Sequence, residues 1–504
     1  MRAMPALPPS TAARRRFWPL ACALLVLAVF AAATFAVPAV VAEVRPAWQH
    51  AQDGPGAGAP GASSAGGASE REAQDADDAA ASPDPAAAGL AAASGAVDAE
   101  GVTKALDAGL AGAPGTVAAA VAVAGEDTVI AGRSQERPMV PASNQKVLTA
   151  LALAATVDPY ERLETTVVRG DQPRELVLVA GGDTLLAPGE GRAEAVNGHA
   201  GLGTLAERTA QALRQDHPDA AAAAQWTVAL DTDLFTGPEL NPAWEREDVA
   251  AGEITRVAPV ALYSHRVPTA DGADPGSRGE RPEDPAAAVA REFARQLEQR
   301  LGDEASVTVG GTASAPEDAV ELARVESAPV SEQSAYMLAH SDNSLAETLA
   351  RVAAVASGRE GSVTGVQELI PAALAEHGID TEGLRAVDAS GMAQQDRVSA
   401  ATLARAVDTL VTDPRYGPYG RGLPVAGAQG TLSERFDDPA EAAARGVTRA
   451  KTGTLLDVVA LSGYVQRADG SVLVYSLVLN GVSGDTTRAK DTVDRTVAAL
   501  AGSA

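Results

Sequence analysis

The stretch "PASNQKVLTALALAA", residues 141–155, sets a serine and a lysine three residues apart at the head of an apolar run. From Val147 to Ala155 only Thr149 is polar, and a helix that is apolar on every face is a buried one. A central helix is therefore expected here, with Ser143 and Lys146 at its start. Lysine is scarce in this chain. Of 40 basic side chains only Lys104, Lys146, Lys451 and Lys490 are lysines, and the other 36 are arginines. A guanidinium stays charged at any physiological pH, whereas a buried amine can lose its proton. Residues three apart on a helix are neighbours, with Cβ atoms ~5–6 Å apart. A serine hydroxyl is a weak nucleophile unless a base sits beside it, and lysine is such a base only where its surroundings favour the neutral form. A helix N-terminus adds N–H groups and partial positive charge where an oxyanion would form.

Two more short motifs stand downstream. Ser341, Asp342 and Asn343 read "SDN" between two expected helices, and these residue types also cap helices. The chain has five asparagines, and only Asn343 has a serine two residues before it. Lys451, Thr452 and Gly453 read "KTG" at what is expected to be the opening of a strand. An edge strand beginning with a cation, a hydroxyl and a glycine can bind a carboxylate and admit a peptide backbone closely. The Ser-x-x-Lys spacing also occurs once, because the other three lysines follow Gly101, Thr448 and Thr487 at that offset.

Taken in order, SxxK, SxN and KTG are the signature of serine penicillin-recognising enzymes. The sequence resembles the penicillin-binding proteins, and among them the D-alanyl-D-alanine carboxypeptidase/endopeptidase family of class C, low molecular mass, type-4. Ser143 and Ser341 stand 198 residues apart, far more than in class A β-lactamases, and that family is known for an insertion there. Segments such as "LVLVAGGDTLLA", "VALDTDLFTG", "NPAWERED", "DASGMAQQDRVS" and "LPVAGAQGTL" carry the likeness, which runs from about residue 100 to 504. It implies an α/β (α+β) fold of the serine β-lactamase/DD-peptidase, transpeptidase-like type: an antiparallel sheet flanked by helices, with an inserted α/β region. It also implies a serine-type D-Ala-D-Ala carboxypeptidase acting on peptidoglycan stem peptides and binding β-lactam antibiotics covalently, with endopeptidase work on cross-links left open. By the same resemblance, Ser143 attacks, Lys146 takes its proton, and Ser341 with Lys451 serves the leaving group. Asn343 binds the acyl-side amide, and Lys451 and Thr452 hold the terminal carboxylate at Gly453. The N–H groups of Ser143 and Thr454 form the oxyanion hole. Asp457, after "KTGTLL", departs from the small or polar residues more usual there and puts the fit of substrate beside the strand in doubt.

The rest of the chain bounds this reading. A net charge of −26 argues against a nucleic-acid partner. One cysteine, Cys22, excludes an intrachain disulfide and a multi-Cys metal site. The six histidines are scattered, and no metal or cofactor is expected. Residues 17–42 carry no charge over 26 positions and follow Arg14–Arg16, enough for a membrane-crossing helix with the N-terminus (1–16) in the cytoplasm. A retained anchor and a signal peptide cut after Ala42 both remain open, and both export the rest, to the cell membrane or wall. Residues 43–98, rich in Ala, Gly, Ser and Pro, read as a disordered linker. Beyond it, 99–160 and 331–504 are expected to form the catalytic domain and 161–330 an inserted α/β region. Other functions stay open at this point: a β-lactamase, a transpeptidase, and a catalytically silent tethered peptidoglycan-binding module.

Overall fold

A computed structural model of the chain describes residues 97–216, 225–276 and 279–503. The expected cytoplasmic segment, membrane segment and nearly all of the linker lie outside the described residues. Among the described residues no helix is long and apolar enough to cross a membrane. The Asp98 carboxylate accepts the Glu100 N–H and caps helix α1 (Ala99–Gly109).

The first sheet has the order β2-β1-β10-β9-β8. Its strands are β1 (Thr116–Val123), β2 (Val129–Arg133), β8 (Thr448–Leu455), β9 (Val458–Gln466) and β10 (Val472–Asn480). The pairings within it are antiparallel, and Thr116 opposite Asn480 brings the two ends of the described chain together. Side chains alternate across a strand, and both faces are covered. Ala119, Val121 and Val123 meet α1 and the last helix, α9 (Thr486–Gly502). Ala118, Ala120 and Ala122 meet the helical core on the other side. This double burial is why β10 reads as the nearly unbroken apolar run "VLVYSLVLN".

At the centre of the helical core lies α2 (Gln145–Thr156), buried from Gln145 to Ala154 as its all-round apolar sequence requires. Around it pack α5 (Val330–His340), α6 (Asn343–Ala356), α7 (Val363–Glu376) and α8 (Ala400–Thr412). Ser143 sits on the 3-10 turn Ala142–Asn144 that leads directly into α2.

Between α2 and α5 the chain builds a second, mixed sheet of order β6-β5-β4-β3-β7. It comprises β3 (Glu164–Arg169), β4 (Glu175–Ala180), β5 (Gln225–Asp231), β6 (Ser306–Thr312) and β7 (Glu321–Glu326). β4, β5 and β6 run parallel, and each step crosses through a helix: α3 (Leu202–Asp216), then α4 (Pro285–Leu301). The α4 face Val289, Phe293, Leu297, Leu301, legible at i, i+4 spacing, is buried against this sheet. β7, pairing antiparallel with β3, was not expected: "ELARVE" is half charged and hides only alternate residues.

The segment between β5 and α4 does not stay with this second sheet. Asn241 Nδ2 donates to Val387 O (2.9 Å), and Trp244, Ile254 and Val257 pack with Val387, Met392 and Ala393.

Candidate active site

The three motifs meet at one cleft of about 600 Å³, lined among others by Ser143, Ser341, Asn343, Thr452 and Thr454. Lys146 is fully buried. Its Nζ lies 2.6 Å from Asn343 Oδ1, 2.6 Å from Ser390 O and 3.2 Å from Ser143 Oγ. The two shorter contacts go to carbonyl oxygens, which only accept. A neutral amine has two N–H groups and one lone pair, so donating to both carbonyls leaves the lone pair for the Ser143 hydroxyl. Burial pushes the Lys146 pKa down to about 8, against the pull of Asp388, Asp342, Glu347 and Asp396, which favour the charged form.

Lys451 is equally buried, and its Nζ donates to Ser341 Oγ and to Thr452 O, both at 2.9 Å. Burial, then the neighbouring Lys146 charge, holds its pKa well below that of an ordinary lysine. The motif does not open its strand. β8 begins three residues earlier, at Thr448, because "TRA" already pairs with β9. β8 is a sheet edge. Thr448 O and Ala450 N bond outward, to residues 426 and 424. By the strand's period of two, the backbone groups of Thr452 and Thr454 face outward as well, away from β9.

Gly453 has a steric reason. A Cβ there would stand 2.7 Å from Asn144 Nδ2 and 2.8 Å from Pro141 O, so a side chain would force β8 off the serine turn.

Asn343 is committed on both sides. Its Oδ1 faces Lys146, while its Nδ2 donates to Glu253 O (2.9 Å) and approaches Met392 Sδ (3.3 Å). Asp342, between the two polar motif residues, is buried and points away from the cleft. It caps α6 through Leu345 N and accepts from Ser264 Oγ (2.8 Å) and Arg266 Nη1 (2.9 Å). Burial alone would raise its pKa, but Arg266, Arg281, the Leu345 N–H and the Ser264 hydroxyl overcome that and bring it to about 2.

Sequence reasoning missed the scaffold behind Lys146. In "DASGM", residues 388–392, the carbonyls of Asp388, Ala389 and Ser390 accept from Gln145, Thr149 and Lys146 of α2. The N–H groups of Ala389 and Ser390 donate to Glu347 Oε1 at 2.9 Å. The Asp388 carboxylate takes the N–H groups of Gly391 and Ala393 and the Trp244 indole. Gly391 (φ 81°) touches the serine turn so closely that a Cβ would fall 1.9 Å from Ala142 O. One signal was available: Glu347 and Arg351 are the charged residues of α6, whose other residues are uncharged.

Asp457 is not among the residues lining the cleft. From the turn between β8 and β9 its carboxylate accepts from Ser483 N and Oγ, which follow β10. Leu455 and the exposed Leu456 line the cleft instead.

Left-handed backbone concentrates around these residues. Eight non-glycine described residues have positive φ, among them Ala142, Ser341 and the run Tyr263, Ser264, His265. Each costs roughly 1–2 kcal/mol for an L-residue.

The profile of the D-Ala-D-Ala carboxypeptidase 3 (S13) family matches residues 102–280 and 270–501. A carboxypeptidase of Mycobacterium tuberculosis is 34% identical over 366 residues, 71% of this chain and 75% of the relative. Carboxypeptidase DacB of Mycolicibacterium smegmatis is 36% identical over 364 residues, 70% of this chain and 73% of the relative. Among solved structures, penicillin-binding protein 4 of Haemophilus influenzae aligns over 81% of this chain and 98% of its own, with a TM-score of 0.58 and 19% identity. That likeness establishes the DD-peptidase fold.

Proposed function

This chain belongs to the D-Ala-D-Ala carboxypeptidase 3 (S13) family, and from that premise we propose how its residues remove the terminal D-alanine of peptidoglycan stem peptides. The observation that carries the reading is the pairing of Ser143 with a buried Lys146 and of Ser341 with a buried Lys451 at one cleft.

Neutral Lys146 takes the Ser143 proton as Oγ attacks the carbonyl carbon between the two D-alanines. The oxyanion forms between the N–H groups of Ser143 and Thr454. Ser341, hydrogen-bonded to Lys451, passes a proton to the departing D-alanine nitrogen, and that C–N bond breaks. Water then hydrolyses the acyl-serine ester. Lys451 and Thr452 hold the substrate carboxylate, with Thr431 Oγ1 at 2.8 Å orienting the Thr452 hydroxyl. Gly453 lets the peptide and β8 approach closely. Asn343 binds the acyl-side amide by exchanging its contact with Glu253 O. Penicillin acylates Ser143 by the same route, and cleavage of a cross-link is the same chemistry on a longer leaving group.

Residues 17–42 export the chain, as a retained anchor or as a signal cut after Ala42, with 43–98 as the linker. Residues 99–160 and 331–504 act as the catalytic domain, and 161–330 as the insertion. Release of D-alanine from a stem pentapeptide by the wild type and not by Ser143→Ala tests the activity. A Ser143→Ala variant that still releases it contradicts the reading.

A further inference from the structure

Asp342 separates the two polar residues of its motif, and its carboxylate is held from outside that motif. Ser264 Oγ and Arg266 Nη1 grip its two oxygens at 2.8 and 2.9 Å. The ion pair is almost wholly shielded from solvent, with side chains 6% and 2% exposed. Buried pairs do little for net stability, but removing one partner strands a charge. A pair kept in such a place therefore calls for a reason other than stability.

The backbone that presents these two groups is strained. Tyr263, Ser264 and His265 have φ of 42°, 56° and 61°. Residues with a Cβ visit this region singly, not in runs, and such strain persists only where the surroundings over-determine it. Here they do. Tyr263 N and Ser264 N donate to Leu186 O and Thr184 O. Ala258 N donates to His265 Nε2. Arg281, itself deprived of a carboxylate hydrogen bond among the described residues, donates to Ser264 O (2.6 Å) and His265 O (3.3 Å). Arg266 folds back onto Tyr263 O and Ser264 O. The turn thus aims a hydroxyl and a guanidinium at one carboxylate.

That carboxylate fixes a two-residue corner. Ser341, at φ 55°, ends α5, and Asp342 caps α6 through Leu345 N. On either side of Asp342 stand the contacts with the two lysines: Ser341 Oγ to Lys451 Nζ at 2.9 Å, and Asn343 Oδ1 to Lys146 Nζ at 2.6 Å. A shift of the corner moves both at once.

We propose that Ser264 and Arg266 are positioning residues for acylation: from the strained turn between β5 and α4 they lock Asp342, and through it set Ser341 against Lys451 and Asn343 against Lys146. This rests on the acyl-serine reading above. An error of about 1 Å in a reacting group can cost on the order of 100-fold in rate, so the loss belongs in the acylation step and not in the number of competent sites.

The test compares the full-length wild type with Arg266→Met, Arg266→Lys and Ser264→Ala. Labelled benzylpenicillin gives two readouts: the fraction of chains labelled at saturation, and the second-order acylation rate constant. The expected result is an undiminished labelled fraction with acylation slowed at least 10-fold in Arg266→Met and several-fold in Ser264→Ala. Arg266→Lys, which keeps the charge, recovers part of the rate, and on a D-Ala-D-Ala peptide kcat falls more than KM rises. If Arg266→Met does not fold, Ser264→Ala decides alone. Rate constants at the wild-type value overturn the proposal, whether or not the labelled fraction falls, because a merely structural role lowers that fraction alone. A wild type that takes no label sinks the acyl-serine reading itself. A labelled wild type with unaffected variants sinks only the positioning role.

Discussion

Asn343 Oδ1 lies 2.6 Å from Lys146 Nζ across 197 residues of sequence. With Ser390 O at the same distance on another side, two N–H groups of the amine are taken up by carbonyl oxygens, and in the neutral form that leaves the lone pair for Ser143. Two motifs that look independent in the sequence therefore build one base. The second lysine, Lys451, is held by Ser341 in the same manner.

Lys146→Arg keeps a cation in the pocket but removes the proton acceptor. Positioned general bases are worth 10²–10⁴-fold, so acylation by benzylpenicillin is expected to fall by about that factor. Stopped-flow or quenched labelling measures it, and circular dichroism checks that the variant is folded.

The pH profile follows from the same residue. The base works deprotonated, and burial brings its pKa to about 8. Acylation should therefore rise with pH up to about 8 and level off above it. Asp388 favours the charged lysine, so Asp388→Asn should move that limb to lower pH. A profile unchanged in Asp388→Asn counts against the electrostatic coupling.

Gly453→Ala places a methyl group 2.7–2.8 Å from Asn144 Nδ2 and Pro141 O. Overpacking of this kind costs about 1–3 kcal/mol. The expected outcome is a lower melting temperature together with acylation slowed by at least 10-fold, because the displaced strand carries Lys451, Thr452 and Thr454.

Much of this was legible in the sequence. Val147–Ala155 announced its burial by composition, and scarce lysines pointed to Lys146 and Lys451. The apolar run of β10 and the i, i+4 face of α4 needed only local sequence. What could not be read has one physical cause: it depends on tertiary contacts between segments distant in sequence. Asp388, Ser264 and Arg266 carry no local pattern that distinguishes them from ordinary polar residues. Asp457 misled for the opposite reason. Its place near the motif suggested the cleft, but its carboxylate is taken by Ser483.

Asp183, which does not line the cleft, gives a test of stability. It is buried with one hydrogen-bond donor, Leu185 N, and burial raises its pKa from 3.8 to about 7. A raised folded-state pKa stabilises the fold fully below pH ~4, and that contribution is lost as pH rises through 7, on the order of 4 kcal/mol. Glu347, raised to about 7 by burial and by Asp388, adds the same sign. Melting temperature should therefore be higher at pH 5 than at pH 8, and Asp183→Asn should shrink that difference. An unchanged difference contradicts the assignment.

The most direct test of the central claim is the intact mass of the purified full-length chain after incubation with benzylpenicillin, beside Ser143→Ala. The account predicts one covalent adduct of the drug's mass per wild-type chain and none on the variant. A wild type that stays unmodified while the drug remains intact, or a Ser143→Ala variant that carries the adduct, would contradict it.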